Sequence, residues 1–597
     1  FWNFFYIAKL KKNYLIFTPL LETWPANLKS TISIVSESAI LDLNGKQNEY
    51  ENFYLNSPRW KNKKIFGQDF RKLSSLFETI LKFFSKELNK VHNVNHDYKT
   101  WRIILGPWLS MFIFIFFERF SNIDKTFQNK KIDKCLFLDL DKRLFVPYDA
   151  REFVDFAQED YWNQFLYQKI AQQFLDEKKI IIKKNQKNYQ FIKYSEKLKK
   201  KYTGQKFSKF INFLIYILNL FNRKKYKFFI YGNNFRLKDQ FNLAFKLRQL
   251  PMIRAQIKEK INRKINDKLR ESFRKKIKFR NKFDNICFNS ICDFLPTLFL
   301  ENYKDFNLYE KKANLPTKPK VVFISTALWF QTKVMFFIAK LIKNKKTKFI
   351  YSQHGGTYGL SKYNWAEKFE ISVADIYLSW GWKNKINKNI KRFFIFKNIK
   401  RENRVKKNLL MVLNNRTRYF ISTDSSFGTE IYSNYISNVT GFLNNLDKSI
   451  KENTILRMPP SSKEKNNFSE NLKKNFQFSN TQSFSKACNN SKLIVHTYNS
   501  TPFLETISSN LPTILILKKN DNPFKNEAKP FIKNLVKNKI LFYDAKLAAK
   551  FVNKLWNENI DDWWNDNKTQ KAINKFITNY ANTTNNISEE IKKIIIN

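Results

Sequence analysis

Gln353-His354-Gly355-Gly356 is the part of this sequence with the clearest chemical potential. Two adjacent glycines let a backbone turn approach a ligand closely, and the successive N–H groups of such a turn can bind an anion. A histidine in the turn can hydrogen-bond a phosphate or act as a general base. The chain has only 11 glycines and three of them fall within residues 355–359, which favours a functional turn over an ordinary one. The Lys-Ser/Thr ending of a P-loop does not follow this turn.

A second candidate site lies where a predicted strand leads into a predicted helix. Thr501 suits the N-cap of that helix, and Pro502 suits its first position. The N-terminus of a helix attracts phosphate, and the hydroxyls of Ser500 and Thr501 can donate hydrogen bonds to it. Glu505, about one turn further on, can accept hydrogen bonds from a ribose. The alternative is an ordinary capped helix.

The first part of the chain offers side chains that suit an acceptor. Glu22 and Trp24 come soon after a predicted strand at residues 15–18, and a carboxylate in that position can act as a base against a sugar hydroxyl. Trp101 and Arg102 form a second aromatic and basic pair. We therefore place a candidate acceptor base at Glu22.

The elements that must position these residues alternate in type from about residue 319 onward, which is typical of βαβ units in parallel sheets. The predicted strands are residues 321–325, 348–352, 376–379, 408–413, 454–458, 492–496 and 513–517. Ligands bind at the carboxyl ends of such strands, where His354 and His496 both stand. Arg416 and Arg457 stand at two further strand ends and can clamp a diphosphate, although both also suit a surface. Two blocks of this kind predict an α/β fold with two Rossmann-like halves.

Residues 151–315 are rich in lysine and mostly helical in pattern, so we predict a helical insertion there. An apolar residue recurs every four positions from 253 to 277, which predicts one long helix with a winding apolar stripe. The basic faces of this helix indicate a solvated surface or, alternatively, a membrane or partner contact.

The apolar runs at residues 103–117 and 210–221 are shorter than the roughly 18 residues that a membrane span needs. We predict buried core helices for both, with helices in the lipid headgroup region as the alternative.

The composition limits the class of protein. A chain of 597 residues is past the roughly 250–300 at which a single core stops growing, so we expect two or more domains. The net charge is +57, but the joint excess of Lys, Asn, Phe and Ile is typical of an AT-rich coding sequence. An anionic membrane surface is a better partner for this charge than nucleic acid, for which the sequence has no motif. The four cysteines form no CxxC pair, which indicates a reduced, cytosolic chain without a zinc site.

Together these motifs resemble a family of transferases found in O-antigen and other surface-carbohydrate loci. The segments that carry the resemblance are LETWP at residues 21–25, LNKVHNVNHDYKTWRIILGPWL at 88–109, QHGGTYG at 353–359, ADIYLSWGW at 374–382, and YNST with a following LE at 498–505. The family resembles glycosyltransferases with two Rossmann-like halves, the GT-B type, and more distantly the bacterial glycerophosphate and Kdo transferases. This sequence departs from the family after Arg457, where it reads Met-Pro-Pro instead of Tyr-Pro.

The resemblance implies an acceptor half over residues 1–400, including the helical insertion at about 151–315, and a donor half over residues 401–597. It implies catalytic roles for His354 and Glu22. The implied donor-binding residues are Gln353, Gly355, Gly356, Tyr358, Arg416, Arg457, His496, Asn499, Ser500, Thr501 and Glu505. The implied acceptor-side residues are Trp24, His92, Trp101 and Arg102. Helix dipoles and basic side chains stabilise the leaving diphosphate in this architecture, so the resemblance implies neither a cofactor nor a bound metal.

The function implied is transfer of a sugar from a nucleotide-activated donor to a lipid-linked or glycan acceptor during surface-polysaccharide synthesis. A glycerophosphate-type transferase is one alternative. A non-catalytic protein that binds anionic lipid or glycan is another. We expect the chain in the cytoplasm, with peripheral contact at the inner face of the cytoplasmic membrane.

Overall fold

In the residues that it describes, the computed structural model forms three β-sheets, and every neighbouring pair of strands in them is parallel. It describes residues 12–184 except 42 and 44, and residues 217–251 except 218, 219, 223 and 234. It also describes residues 262–596 except 263, 344–345, 385, 397, 403–405, 415–417, 423–431, 460–471, 473–474, 479–482 and 520–522.

The first sheet lies in the N-terminal part of the chain and has the strand order β3-β2-β1-β4-β5. Its strands are β1 (Asn13–Ile16), β2 (Thr31–Ile34), β3 (Asn52–Leu55), β4 (Lys134–Leu138) and β5 (Ile180–Lys183). The central strand β1 buries Leu15 and Ile16. The sequence predicted only one strand in this region, and β3 gives no buried apolar pattern because it is largely exposed.

The middle sheet has the order β10-β9-β8-β7-β6. Its strands are β6 (Phe228–Tyr231), β7 (Val321–Ile324), β8 (Lys348–Ser352), β9 (Ile376–Ser379) and β10 (Ile390–Arg392). The three interior strands, β7, β8 and β9, are almost wholly buried, as expected for parallel strands covered on both faces.

The C-terminal sheet has the order β13-β12-β11-β14-β15-β16. Its strands are β11 (Asn408–Val412), β12 (Thr454–Arg457), β13 (Gln477–Phe478), β14 (Ser491–His496), β15 (Thr513–Ile516) and β16 (Leu541–Phe542). Its strand order turns back between β11 and β14, which is the kind of switch point where open α/β sheets bind ligands.

The helices carry the connections between these strands. They are α1 (Lys63–His92), α2 (Tyr98–Ile104), α3 (Gly106–Asn129), α4 (Ala150–Phe156), α5 (Asp160–Ala171), α6 (Leu237–Lys246), α7 (Asp267–Lys276), α8 (Lys282–Phe294), α9 (Lys304–Ala313), α10 (Thr332–Lys343), α11 (Trp365–Val373), α12 (Tyr432–Asn444), α13 (Lys448–Glu452), α14 (Phe484–Asn489), α15 (Thr501–Ser508), α16 (Lys529–Lys537), α17 (Ala545–Asn557), α18 (Ile560–Asn565), α19 (Asn567–Tyr580) and α20 (Ile587–Ile596).

The predicted α/β fold with Rossmann-like halves is confirmed, since the middle and C-terminal sheets are parallel and their strands alternate with helices. The first sheet adds a third parallel sheet that the sequence did not reveal. One hydrophobic core includes Leu15 of β1, Phe349 of β8 and Leu515 of β15, so the three sheets are packed together. The lysine-rich stretch 151–315 holds helices, but also β5 and β6, which pair in different sheets.

The long helix predicted from the four-residue repeat is wrong where the structure describes it. Residues 253–261 lie outside the described residues, and α7 begins only at Asp267, with Asn266 as its N-cap. Arg270, predicted on a solvated basic face, is 1% exposed and pairs with Glu301 at 2.8 Å. A short helix with a buried ion pair therefore takes the place of the second half of the predicted helix.

The apolar residues 103–117 form part of α2 and α3, and most of their side chains are buried. The prediction of a buried core helix is thus confirmed for this run, whereas residues 210–216 lie outside the described residues. In the part of the chain that the structure describes, no single helix has the length and hydropathy of a membrane span. The pair α2 and α3, bent by 61°, meets that test only when the two helices are taken together.

Candidate functional site

The turn that follows β8 is held in shape by the side chain of Gln353, which is fully buried. Its Oε1 accepts hydrogen bonds from the backbone nitrogen of Trp380 at 2.9 Å and from Nε1 of Trp382 at 2.8 Å. Its Nε2 donates to the carbonyl oxygen of Gly355 at 2.8 Å. Gln353 therefore uses both ends of its amide to tie the histidine turn to the end of β9.

His354 faces a buried carboxylate. Its Nδ1 lies 3.5 Å from Oε1 of Glu370, and 24% of the His354 side chain is exposed. Glu370 projects from α11 and is fully buried. Its Oε1 also accepts hydrogen bonds from Nε1 of Trp329 at 2.8 Å and from the hydroxyl of Tyr358 at 2.9 Å. Within the described residues Nδ1 has no hydrogen-bond partner, so this edge of the imidazole lies beside the carboxylate without a hydrogen bond to it, while part of the ring is open.

Burial sets the protonation state of this histidine. It lowers the pKa of His354 to about 4 by desolvation. The imidazole is therefore neutral at pH 7. A neutral imidazole beside a carboxylate is the protonation state that a general base requires.

The two sites predicted from the sequence meet at Gly356. A Cβ on this residue would lie 2.3 Å from the carbonyl carbon of Ser500 and 2.4 Å from the nitrogen of Thr501. Only glycine fits such an approach of backbone to backbone. The histidine turn of the middle sheet therefore touches the N-terminus of α15 in the C-terminal part of the chain.

Further contacts fasten the same loop to the C-terminal part. The backbone nitrogen of Lys362 donates to the carbonyl oxygen of Pro523 at 2.8 Å. The backbone nitrogen of Lys525 donates to the carbonyl oxygen of Leu360 at 2.9 Å. The ammonium of Lys525 also pairs with the carboxylate of Glu367 on α11. The loop after β8 is thus a structural link between the middle and C-terminal sheets.

The N-terminus of α15 differs by one residue from the sequence prediction. Ser500 is the N-cap and Thr501 is the first helical residue, whereas the sequence predicted Thr501 as the cap. Ser500 is extended and its side chain makes no capping hydrogen bond. The positive end of the helix dipole is therefore left without a side-chain cap at the point that Gly356 approaches.

Asn499 lies just before this helix and is only 5% exposed. Within the described residues, neither Oδ1 nor Nδ2 of its amide has a hydrogen-bond partner. An unsatisfied buried polar group costs about 1–3 kcal/mol, so such a group in a ligand-free protein indicates a place that a ligand completes.

Arg457 ends β12 and is 5% exposed, with its guanidinium carbon 5.7 Å from the centre of the Phe484 ring. Desolvation lowers the pKa of this guanidinium. Burial raises the pKa of the Cys488 thiol. The charge of Arg457 lowers this pKa and the charge of Glu505 raises it, so both side chains lie near Cys488. Arg457 and Glu505 are therefore near each other at the carboxyl edge of the C-terminal sheet. Arg416 lies outside the described residues.

His496 is fully buried between β14 and α15. Its Nε2 is 2.9 Å from Oγ1 of Thr506, and desolvation lowers its pKa to about 3. Its position is that of a neutral core histidine which helps to seat α15 on the sheet.

Glu22 stands at the carboxyl end of β1, where the hydroxyl of Tyr161 donates to its Oε1 at 3.0 Å. The neighbouring Asp160 accepts a hydrogen bond from the hydroxyl of Tyr419 at 2.7 Å, so this corner of the first sheet adjoins the loop after β11. Trp24, predicted beside an acceptor, is instead buried, and its Nε1 donates to the carbonyl oxygen of Thr18 at 3.0 Å.

The other predicted acceptor residues are packed into the join between the first and middle sheets. Trp101 is fully buried and donates to Oδ1 of Asn89 at 2.9 Å. His92 stacks on Tyr303 with ring centres 3.9 Å apart. Arg102 donates from Nε to Oγ of Ser372 on α11 at 3.0 Å and is 9% exposed. The structure therefore does not bring these residues together with His354 in an open site.

Glu370 is the site residue that sequence reasoning missed. In the sequence it is one of two carboxylates three residues apart on a helix, a spacing that is typical of a solvated helix face. The structure shows that Glu370 lies in the core. The only signal near it in the sequence is the QHGGTYG segment, and that signal is weak.

The geometry defines an α/β protein in which the turn that carries His354, beside a buried carboxylate, contacts the N-terminus of α15 through Gly356. The chain belongs to the LIC12162 family of transferases, because the family model described as LIC12162 family transferase matches residues 13–595. None of the curated proteins compared with the sequence matches it.

Solved structures with similar parts include a rhamnosyltransferase, an epimerase and a polymerase. Spinosyn rhamnosyltransferase SpnG in complex with spinosyn aglycone is 9% identical, with a TM-score of 0.29, over 51% of this chain and 78% of that chain. UDP-N-acetylglucosamine 2-epimerase from Rickettsia bellii is 12% identical, with a TM-score of 0.29, over 49% and 76%. The wall teichoic acid polymerase TagF is 11% identical, with a TM-score of 0.26, over 49% and 82%. Each likeness covers about half of this chain.

Proposed function

We propose that this transferase moves a sugar from a nucleotide-activated donor to a glycan or lipid-linked acceptor in surface-polysaccharide synthesis. The observation that carries the proposal is the contact of the His354 turn with the N-terminus of α15 at Gly356. This contact brings the turn that carries a neutral imidazole against a helix N-terminus, and such a terminus suits a phosphate. Those are the two groups that sugar transfer from a nucleotide needs.

The reaction forms one bond and breaks one. The acceptor oxygen bonds to the anomeric carbon while the bond from that carbon to the donor phosphate breaks and the nucleotide leaves. In our proposal Nε2 of His354 takes the acceptor proton, and Glu370 at 3.5 Å from Nδ1 orients the ring and stabilises the imidazolium that forms. Glu370 acts only through the histidine, so it is a positioning residue.

The donor is proposed to lie along the carboxyl edge of the C-terminal sheet. The N–H groups at the start of α15 and the guanidinium of Arg457 supply positive charge for its phosphates. The buried amide of Asn499 offers a donor and an acceptor, and Glu505 offers a carboxylate to the ribose. These groups supply the charge that the leaving group needs, and the proposal therefore includes no bound metal.

Glu22 is the second candidate for the base that activates the acceptor. It is proposed because the corner of the first sheet that holds it adjoins the loop after β11, through Tyr161, Asp160 and Tyr419. Peripheral contact of the chain with an anionic membrane, where a lipid-linked acceptor resides, is proposed from the net charge of +57.

The proposal is tested by thermal shift against UDP, GDP, CMP and CDP, each with and without EDTA. A nucleotide at 100 times its Kd should add about 2.7 kcal/mol of stability. We expect one nucleotide to give a shift that EDTA does not remove, that Asn499→Ala abolishes and that His354→Ala retains.

Transfer is then measured with the matching donor, and the mass of the product identifies the group that moves. His354→Ala should lower kcat by about 10²–10⁴-fold. Unchanged transfer in that variant rules out His354 as the base. If no nucleotide shifts the melting temperature, the chain is a lipid- or glycan-binding protein instead.

A further inference from the structure

A cavity of about 450 Å³ opens at the edge of the middle sheet opposite to His354. Three of its lining residues stand at the starts of adjacent strands: Lys320 precedes β7, Lys348 begins β8 and Asp375 precedes β9. Helix α2 and the end of α10 complete its wall. The five residues of β8, about 16 Å at about 3.3 Å per residue, separate this cavity from the histidine turn.

The cavity is strongly positive. The lysines that line it are Lys99, Lys320, Lys343, Lys346 and Lys348, against the two carboxylates Asp97 and Asp375. The described lining residues thus carry three positive charges in excess, and the ammonium groups repel one another unless an anion lies between them.

Both carboxylates are already engaged by the protein. Oδ1 of Asp97 accepts from the nitrogen of Thr100 at 2.8 Å and so caps α2. Oδ2 of Asp375 accepts from the nitrogen of Phe349 at 2.8 Å, and its Oδ1 pairs with Lys99 at 2.9 Å. In the described part of the chain, neither Lys320 nor Lys346 has an ion pair with a carboxylate.

The lining also restricts the class of ligand. A volume of about 450 Å³ is in the range of small-molecule sites. Among the described residues no aromatic side chain lines the cavity, so these residues offer no ring on which a nucleobase can stack. Lysine ammonium groups bind phosphate as point charges from several directions.

We propose that this cavity is a second anion site, separate from the transfer site, which binds a small ligand carrying a diphosphate or two phosphates. Lys320 and Lys346 are the principal charges that meet this ligand, and Lys99, already tied to Asp375, borders it. The site is independent of the proposed sugar transfer, because it lies at the amino ends of the strands of the middle sheet, whereas His354 lies at their carboxyl ends.

The first test is lysine acetylation followed by mass spectrometry, with and without inorganic diphosphate. We expect saturating diphosphate to slow acetylation of Lys320 and Lys346 at least fivefold. Lys546 and Lys550, exposed on α17, serve as matched controls and should react at an unchanged rate. Equal protection of all four lysines, or no protection of the first two, would overturn the proposal.

The second test is calorimetric titration with inorganic diphosphate of the whole chain and of two double variants. Lys320→Ala/Lys346→Ala should weaken binding at one site at least tenfold, whereas Lys546→Ala/Lys550→Ala should leave it within twofold. A second site that survives the first variant and disappears in Asn499→Ala belongs to α15, so the two sites are distinguishable.

A lipid headgroup carries the same phosphate chemistry as a soluble ligand. Sedimentation with phosphatidylglycerol vesicles therefore forms a third arm, beside phosphatidylcholine vesicles as the neutral control. Vesicle binding that depends on Lys320 and Lys346, without binding of free diphosphate, would contradict a small-molecule site.

Discussion

At the scale of residues, the site depends on one imidazole whose two sides have different surroundings. The Nδ1 side of His354 faces Glu370 in the core, and the remainder of the ring is partly open. The scarcity of glycine in the sequence made the turn predictable. Its carboxylate partner was not predictable, because a glutamate on a helix has the same sequence pattern whether it faces water or the core.

Glu370→Gln tests the positioning role of this carboxylate. The amide keeps an acceptor for Trp329 and Tyr358 but loses the charge that stabilises an imidazolium, so we expect kcat to fall roughly a hundredfold with KM for the donor nearly unchanged. Steady-state kinetics of nucleotide release measure both constants. A rise in KM with unchanged kcat would point to a merely structural role.

The lowered pKa values of His354 and His496 predict how stability depends on pH. Burial lowers the pKa of His354 to about 4 and that of His496 to about 3, against about 6.5 in an unfolded chain. The unfolded state therefore binds more protons below pH 6.5, and the stability present above that pH is lost as the pH falls toward 3. Thermal melts from pH 8 to 4 should show a falling Tm below about pH 6.5.

His496→Gln supplies the control for that pH profile. It removes one of the two titrating groups, so the variant should lose less stability than the wild type over the same pH interval. Parallel profiles for the two proteins would show that His496 does not titrate as described.

At the scale of elements, the strands of the middle and C-terminal sheets were predictable and those of the first sheet were not. Parallel strands buried on both faces read as continuous apolar runs, as β8 and β14 do. In contrast, β3 exposes most of its residues and gives no such run. The four-residue repeat failed at α7 because local capping by Asn266 and the Arg270–Glu301 pair start a new helix there.

Gly356→Ala tests the contact between the histidine turn and α15. The new Cβ would meet backbone atoms of Ser500 and Thr501 at 2.3–2.6 Å, so the two segments must separate. We expect loss of the nucleotide-dependent thermal shift and at least a tenfold fall in transfer.

Gly441→Ala is the matched control, since its Cβ would meet only Ala545 at 4.0 Å within a helix. Alanine there should retain nucleotide binding and leave stability equal or higher, by up to about 1 kcal/mol. Equal loss of binding in both variants would contradict the proposed contact.

At the scale of the whole molecule, the first sheet is joined to the C-terminal part by a buried arginine. Arg119 on α3 is fully buried and donates to Oδ1 of Asn163 on α5, to Glu118 and to the carbonyl oxygen of Phe420 at 3.0 Å. This contact was not predictable from the sequence, because the local pattern around an arginine in an apolar helix does not identify its distant partners.

Arg119→Ala should destabilise the protein by about 3–5 kcal/mol, because it leaves Glu118 and a backbone carbonyl buried without their cation. Urea unfolding followed by tryptophan fluorescence measures the change. Arg143→Ala, an exposed arginine paired with Asp141, should leave the unfolding midpoint unchanged. Similar midpoints for both variants would mean that the buried network adds nothing to stability.

The contact at Gly356 also bears on the timing of turnover. In the proposed reaction the nucleotide product lies where the turn rests on the start of α15, so the two segments have to separate before this product can leave. Its departure, rather than the chemistry, should then limit repeated cycles. Rapid-quench experiments should reveal a burst of one product per enzyme molecule, followed by a slower linear phase that viscosity retards.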